Sequence, residues 1–376
     1  MTSHALSRRT FPPRLAALLA ILAIGAAAVV GTGDHRVSAT TQTAAKPKIF
    51  AFYYLWWSKS HWVNSLGSQY PVNSTPLPLP ARLAATGCNP VTNYAGNTLT
   101  DVPTALFSQD DPGRIALDVR QAAAAGLSGF IVNWAGSGTA SQLVTSNPYN
   151  RRLQAVVDAV HAINRAGVPF KLWISYKASA SILPLSSIVN DLAYLRGHYA
   201  ADAAFDRSQS ARPTLIWQGS RKYSAASLQL VASRYRSTFR ILGDESSWSA
   251  ARAAYLDGDA YYWSSQDPYR NPQSFSQLAT LANAVRSSVK NPDGSRKAWI
   301  APLSPGYDKQ LAGGTNCVPR NGGQTMRTLF AGNARTVPDA WGLISWNEVV
   351  EGTYIEPLQR YGQQDLNVVH ALATGT

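Results

Sequence analysis

Eight short, continuously apolar runs recur along this chain of 376 residues, and they limit its fold more than any other feature. The runs are rich in β-branched and aromatic residues and do not alternate between polar and apolar positions. Strands of this kind are covered on both faces, as in a parallel sheet flanked by helices. The candidate strands are Ile49–Trp57, Gly129–Trp134, Phe170–Tyr176, Thr214–Trp217, Phe239–Leu242, Ala260–Trp263, Ala298–Leu303 and Gly342–Trp346.

Helical patterns fill the intervals between these runs. Asp111 followed by Pro112 predicts an N-cap with proline at the first helical position, and Gly126 ends that helix. Alternating strands and helices predict βαβ units, and eight units predict a closed (β/α)8 (TIM) barrel. A doubly wound open sheet is the alternative, but no glycine-rich dinucleotide turn follows the first strand.

Residues 1–45 are predicted to be an export signal and short linker, and residues 46–376 a single barrel domain. Arg8-Arg9 precedes an apolar run from Leu15 to Gly31, as in a twin-arginine signal, and Val37–Ala39 resembles a cleavage site. The length of the apolar run leaves an uncleaved membrane anchor as the alternative. We therefore expect a secreted or cell-envelope protein, without stable membrane insertion unless the leader is retained.

The net charge of +13 raises the question of nucleic-acid binding. The basic residues are scattered, and no more than two are consecutive. This pattern favours a basic surface that aids solubility or holds the protein near an anionic envelope polymer, so we expect no nucleic-acid partner.

The two cysteines, Cys88 and Cys317, are too few for a structural zinc site, and the histidines are far apart in sequence. No metal and no cofactor are expected. In an oxidising compartment the two cysteines are predicted to form a disulfide that joins the loops after strands one and seven.

Polar and aromatic residues collect at the predicted carboxyl ends of the strands, where barrels of this kind carry their reaction site. The chain has 11 tryptophans and 17 tyrosines, more than packing normally uses, and such rings suit carbohydrate, which needs an apolar face with polar edges. We therefore predict a glycan-binding cleft. Its predicted substrate contacts are Tyr53, Tyr54, Trp56, Trp57, His61, Trp62, Asn133, Trp134, Tyr176, Trp217, Trp263, Asp267, Tyr307, Asp308, Trp346 and Asn347.

The segment SWNEVVEGTYIEP, residues 345–357, carries Glu348, Glu351 and Glu356, and the only other glutamate is Glu245. A tight helical turn would place Glu348 and Glu351 on one side. Two carboxyl groups at one cleft suit glycoside hydrolysis, so we predict these two to be catalytic. The alternative is that Glu348 caps backbone amides and Glu351 begins an exposed helix. Glu356 is expected to be structural.

Four segments together resemble glycoside hydrolase family 99, the endo-α-mannosidase family, and its WbsX-like relatives. The last segment is the most specific, because SWNEVVEGTYIEP is similar to the family motif NEWHEGTxIEP. The resemblance runs from about residue 48 to residue 360. The other three segments are Ala51–Trp57 with His61-Trp62, Gln109–Pro112 with Gly129–Trp134, and Pro305–Asp308.

The resemblance implies a (β/α)8 barrel and cleavage of α-mannosidic bonds with retention. In that chemistry one carboxylate takes the proton of the sugar's 2-hydroxyl, whose oxygen displaces the leaving group through an anhydrosugar. Glu348 matches this carboxylate, and Glu351 matches the second, which acts as acid and then base. Two departures bear on substrate contacts: Val349-Val350 replaces Trp-His, and the segment Trp173–Tyr176 on strand three has no acidic residue.

The sequence therefore predicts an exported retaining glycoside hydrolase that cleaves an α-linked oligo- or polysaccharide, endo-α-mannosidase-like, with a glycan as its partner. One alternative is an α-1,3-glucanase-like hydrolase. Another is a non-catalytic carbohydrate-binding barrel, although a pure binder has no need of both Glu348 and Glu351.

Overall fold

The computed structural model describes residues 46–67, 70, 88, 98–99, 101–137, 148–177 and 182–376. The predicted export signal, residues 1–45, lies outside the described residues and stays a prediction. Within the described ranges, no helix combines the length and apolarity that crossing a bilayer requires.

Eight parallel strands close into a barrel, which confirms the predicted (β/α)8 architecture. Each strand pairs with its neighbours in chain order, and the eighth pairs with the first, with Trp341 opposite Ile49. The strands, numbered one to eight below, are Ile49–Tyr54, Gly129–Trp134, Lys171–Lys177, Thr214–Gln218, Arg240–Gly243, Gly258–Asp259, Ala298–Leu303 and Ala340–Leu343.

Helices follow the strands and surround the barrel. The predicted N-cap at Asp111 is confirmed, because its Oδ1 accepts a hydrogen bond of 2.9 Å from the Gly113 amide, with Pro112 at the first position. The described α-helices are Lys59–Leu66, Pro112–Ala124, Pro148–Arg165, Leu185–Tyr199, Ala225–Tyr235, Ala250–Ala253, Ser274–Ser287, Gln324–Asn333 and Gln364–Thr374. Short 3-10 turns occupy Ser220–Lys222, Gln310–Ala312, Asn321–Gly323 and Ala334–Thr336.

The alternating direction of strand side chains divides the core into two layers. On strand one, Phe50, Phe52 and Tyr54 belong to the cluster that fills the barrel interior. Tyr53, between them, belongs to the cluster that packs the barrel wall against the helices. Neighbouring residues of a strand therefore have opposite environments, although both are buried.

Two predicted strand positions are wrong. Strand six is Gly258–Asp259 rather than Ala260–Trp263. A Cβ on Gly258 would lie 2.3 Å from the Ala298 carbonyl oxygen, so the close pairing with strand seven requires glycine there. The apolar residues that follow belong to the mouth of the barrel, by which we mean the carboxyl ends of the strands and their loops.

Strand eight is Ala340–Leu343 and ends before the predicted Gly342–Trp346 segment does. At Ser345 the backbone begins to bond to its own motif, since the Ser345 amide donates to the Thr353 carbonyl at 2.8 Å, while the Trp346 amide still donates to the Phe52 carbonyl of strand one at 2.8 Å. Strand one likewise ends at Tyr54 rather than Trp57, where a side chain of the strand-eight loop takes over the backbone hydrogen bonds.

Cys88 and Cys317 form the predicted disulfide. It connects the segment after strand one to Cys317–Val318, which pairs antiparallel with Tyr307–Asp308 in a short ribbon after strand seven. The bond therefore joins two loops of the mouth.

Candidate active site

Polar side chains line the barrel mouth, and they point inward from the last residues of several strands. The Tyr54 and Tyr262 hydroxyl groups lie 2.7 Å apart, linking strand one to the segment after strand six. Asn133 Nδ2 donates to Gln218 Oε1 at 2.9 Å across strands two to four. These groups project into the mouth because strand alternation places them on the same side as the interior apolar residues below them.

The segment 345–357 folds back on itself above strand eight. A turn over residues 349–352 is closed by the Gly352 amide, which donates to the Val349 carbonyl at 3.1 Å. The φ of Gly352 is 63°, and a Cβ there would lie 2.9 Å from the Asp308 nitrogen. Glycine is therefore required at this position on both conformational and steric grounds, and it allows the motif to pack against the Tyr307–Asp308 ribbon.

Glu348 is 6% exposed at the start of this turn. Its amide donates to Ser345 Oγ at 2.7 Å, and its carbonyl accepts from the Thr353 amide at 3.2 Å. Its backbone is thus held on both sides by the motif.

Glu351 lies at the other end of the turn, with a side chain that is 23% exposed. The Lys309 ammonium group lies 3.4 Å from its Oε1. Its Oε2 is buried and accepts no hydrogen bond from any described residue. Its carbonyl accepts from the Asp308 amide at 2.8 Å, which ties the turn to the ribbon. One carboxylate oxygen is therefore left without a protein partner.

Both glutamates contribute to the raised pKa values of three tyrosines at the mouth. Burial, followed by the charge of Glu348, raises the pKa of Tyr54 well above its usual value. Burial, followed by the charges of Glu351 and Glu348, raises the pKa of Tyr307 to about 12. Burial is also the largest cause of the raised pKa of Tyr262, to which both glutamates contribute. The charges of Glu348 and Glu351 therefore both disfavour ionisation of these hydroxyl groups.

Some predicted sugar-contacting rings do face the mouth. The Trp56 ring stacks on Tyr54 with 4.4 Å between centroids and keeps part of its surface exposed. His61 lies beyond it, 6.4 Å from the Trp56 ring and nearly parallel. Burial, followed by the charge of Arg152, lowers the pKa of His61, so the imidazole is neutral near pH 7. Tyr54, Trp56 and His61 thus form a continuous aromatic edge.

Five other predicted rings point away from the mouth, into the layer between barrel and helices. Strand alternation explains this placement, since each occupies the face opposite to an inward residue. Tyr53 and Tyr176, for example, donate at 2.8 Å to Asp118 and Asp191 on the surrounding helices. The five buried rings are Tyr53, Trp134, Tyr176, Trp217 and Trp346.

Trp57 and Trp62 are also fully buried, stacked at 3.9 Å in an apolar cluster beneath the motif. Val349 belongs to the same cluster and Val350 packs against it. Val349 and Val350 therefore serve apolar packing under the turn.

The remaining predicted contacts have structural partners. Trp263 packs against the outer core. Asp267 Oδ1 accepts two backbone amides, from Tyr269 at 2.9 Å and Arg270 at 3.0 Å, and so closes a turn. Asn347 is 1% exposed and bonds to the backbone of Tyr54.

Asp308 holds both the ribbon and the motif. Its amide donates to Glu351, and its Oδ1 accepts the Gln310 amide at 3.2 Å. Burial raises the pKa of its carboxyl group.

Glu356 is separate from this site. Its buried carboxylate is ion-paired with Arg114, which also lies 2.8 Å from Asp118. This pairing fastens the end of the motif to the helix Pro112–Ala124. Glu245, the fourth glutamate, is likewise paired, with Arg252 at 2.6 Å.

The sequence prediction missed three residues of the site: Tyr262, Asp244 and Lys309. Asp244 is 2% exposed, its Oδ1 accepts the Tyr262 amide at 3.0 Å, and burial raises its pKa. Tyr262 could have been found by alternation, because it lies two residues after the inward-facing Ala260. No feature of the sequence near Lys309 indicates its contact with Glu351, because that contact depends on how the ribbon folds.

Among the residues with described positions, no three His, Cys, Asp or Glu side chains gather in a metal-binding group.

The fold is similar to that of solved family 99 enzymes. A GH99 endo-alpha-mannosidase from Bacteroides thetaiotaomicron matches with a TM-score of 0.61 and 15% identity over 87% of this chain and 97% of that chain. A structure from the same organism, in complex with bis-tris-propane, matches with a TM-score of 0.62 and 15% identity over 88% and 97%. A glycoside hydrolase-like protein matches with a TM-score of 0.55 and 12% identity over 87% and 94%. No family model and no curated protein matches the sequence. The likeness shows a shared barrel fold across most of both chains.

Proposed function

We propose that this protein is a glycoside hydrolase in which Glu348 and Glu351 are the catalytic pair. The observation that carries the proposal is that one tight turn at the barrel mouth bears both carboxyl groups, with Glu348 6% exposed at its start and the Glu351 side chain 23% exposed at its end. The buried Oε2 of Glu351 has no hydrogen-bond partner among the described residues, so it can accept a hydrogen bond from a substrate hydroxyl. The likeness to family 99 enzymes agrees with this reading.

In the mechanism we propose, Glu351 donates a proton to the leaving glycosidic oxygen while Glu348 accepts the proton of the sugar's 2-hydroxyl. The 2-oxygen forms a bond to the anomeric carbon as the glycosidic bond breaks, giving an anhydrosugar. Glu351 then takes a proton from water, which attacks the anomeric carbon, and Glu348 returns its proton to the 2-oxygen. Both carboxyl groups regain their starting states, and two displacements give retention.

We propose an α-linked oligo- or polysaccharide as the substrate. Within the aromatic edge, Trp56 and His61 keep part of their rings exposed, and Trp56 stacks on the buried Tyr54, which suits a pyranose.

We also propose that the enzyme works outside the cytoplasm, exported by residues 1–45. The Cys88–Cys317 disulfide supports this location, because disulfides persist in oxidising compartments.

The proposal is tested by incubating purified protein with α-mannan, α-glucan and cell-envelope glycans, measuring reducing ends and following the first anomer by NMR. We expect turnover of an α-linked glycan with the α-anomer formed first. Turnover of α-1,3-glucan alone would favour the glucanase-like alternative, and an initial β-anomer would overturn the retaining mechanism. Binding without turnover on every glycan would contradict the enzyme proposal and favour a carbohydrate-binding barrel.

A further inference from the structure

A polar cavity of about 290 Å³ lies at the amino-terminal end of the barrel, where the strands begin. Its wall includes Arg240 and Ala298, the first residues of strands five and seven, and Asp339, which precedes strand eight. Glu348 and Glu351 lie beyond the other end of the strands. The volume is at the lower limit of small-molecule pockets, so the cavity suits a small ion rather than a sugar chain.

Arg240 is the buried cation of this cavity. It is 7% exposed and projects inward, as does Leu242 two residues later on the same strand. Its Nη1 donates to Gln209 Oε1 at 2.7 Å. In the described part of the chain, its other guanidinium nitrogens donate no hydrogen bond, and no carboxylate lies within ion-pair distance of it. A charge buried in this way is costly unless something pairs with it.

The two aspartates of the cavity form ion pairs with arginines other than Arg240. Arg296 makes two hydrogen bonds to Asp339, one of them 2.9 Å long. Arg212 lies 3.0 Å from Asp293. The lining therefore has three arginines and two aspartates, which leaves one positive charge in excess, at Arg240.

The wider surroundings only partly compensate that charge. Burial lowers the pKa of Arg240, although the carboxylates of Asp339, Asp257 and Asp206 act in the opposite direction. Asp257 pairs with Arg236 at 2.8 Å, whereas Asp206 accepts the neutral Trp173 indole N–H at 3.1 Å, so that its own charge offsets part of the charge of Arg240 without contacting it.

We propose that this cavity is a binding site for a phosphate group, held by the free edge of Arg240. A guanidinium group presents its donors in a planar fork that matches two oxygens of a phosphate. One bound anion would also balance the excess positive charge of the lining. The site is independent of the proposed hydrolysis, since it uses neither Glu348 nor Glu351.

Occupancy of this site is expected to stabilise the barrel. A ligand that binds only the folded state raises stability with its concentration, and the amino-terminal face of such barrels serves stability rather than chemistry. Phosphate should therefore raise the melting temperature of the full chain.

The test is calorimetric titration of inorganic phosphate, and separately of glycerol 3-phosphate, into the full chain at ionic strength held constant with chloride. We expect saturable binding of one phosphate per chain and affinity about tenfold or more lower in Arg240→Met, which loses charge-assisted hydrogen bonds. Arg120→Met, which removes an exposed arginine on the helix Pro112–Ala124, is the matched control and should bind as the wild type does.

Binding of inorganic phosphate alone would assign the site to the free ion, whereas binding of both probes would assign it to phosphate monoesters as well. If Arg240→Met does not fold, Arg240→Lys keeps the charge without the fork and should still bind more weakly. Equal affinity in the foldable Arg240 variant and the wild type, or no saturable binding at millimolar concentrations of either probe, would overturn the proposal.

Discussion

The side-chain amide of Asn347 makes two hydrogen bonds to the backbone of Tyr54. The Tyr54 amide donates to Asn347 Oδ1 at 2.8 Å, and Asn347 Nδ2 donates to the Tyr54 carbonyl at 3.0 Å. The amide therefore replaces a strand partner at the point where strand one ends. Because Glu348 follows directly, this contact holds the glutamate motif, residues 345–357, next to Tyr54.

Asn347→Ala should lower both stability and turnover. It leaves the buried Tyr54 amide without a partner, so we expect the free energy of unfolding to fall by about 1–3 kcal/mol. We expect kcat to fall as well, because Glu348 is then no longer held in a fixed position beside Tyr54. Urea unfolding and turnover measurements check this, with Asn367→Ala on the exposed face of the last helix as the control. Wild-type turnover in Asn347→Ala would refute the positioning role.

Glu348→Gln and Glu351→Gln should each reduce turnover by about 10²–10⁴-fold, the usual range for loss of an acid–base group. Folding and glycan binding should be retained, because glutamine keeps the shape of the side chain. Glu356→Gln is the matched control within the same motif. It should keep its turnover but lose about 1–3 kcal/mol of stability, since Arg114 loses a charged partner. Full activity in either Glu348→Gln or Glu351→Gln would exclude the proposed mechanism.

Trp56→Ala and Trp62→Ala should have different effects, although the residues are close in sequence. Trp56 keeps an exposed ring face at the mouth, so its loss should weaken glycan binding by about tenfold. Trp62 is fully buried against Trp57, so its loss should cost about 3–5 kcal/mol of stability with little effect on binding. Affinity gel electrophoresis and thermal unfolding measure the two effects. If Trp62→Ala weakened glycan binding and Trp56→Ala did not, the glycan would contact Trp62 rather than Trp56.

Asp118 should make stability fall as pH rises through the weakly acidic range. Burial raises the pKa of this carboxyl group from 3.8 to about 6, against the opposing charge of Arg114. The folded state therefore binds the proton more tightly, and its contribution is present below about pH 4 and lost as pH rises through about 6. A shift of roughly two units corresponds to about 3 kcal/mol.

Asp118→Asn removes this titration. The unfolding free energy of the variant relative to wild type should therefore increase by up to about 3 kcal/mol between about pH 4 and pH 7. Urea titrations at several pH values check this, with Asp158→Asn on an exposed helix position as the control. Parallel pH profiles for Asp118→Asn and wild type would show that Asp118 does not titrate in this range.

The direction of individual rings was the weakest part of the sequence prediction. Tyr53 and Tyr54 are adjacent and equally aromatic, yet one bonds to Asp118 behind the barrel wall and the other to Tyr262 in the mouth. The run Ala51–Trp57 is apolar throughout, so its composition does not tell which residues face inward. Only the register of the closed sheet assigns the two faces.

The position of the glutamate motif, residues 345–357, was easier to predict than the contacts around it. Three of four glutamates in one short segment after an apolar run is a local signal. The Lys309–Glu351 contact joins residues 42 positions apart, and the Tyr54–Tyr262 contact joins residues 208 positions apart. Such pairs depend on how loops fold over the mouth, which local patterns do not encode.

The sequence by itself determined the number and chain order of the barrel strands, the disulfide partners and the position of the glutamate motif, because each follows from local composition and spacing. The tertiary structure alone decided which aromatic rings line the mouth, which carboxylates are neutralised and where Arg240 lacks a counter-charge. Closure of the sheet sets the inward and outward faces of all eight strands together, so those environments arise only when residues far apart in the chain meet.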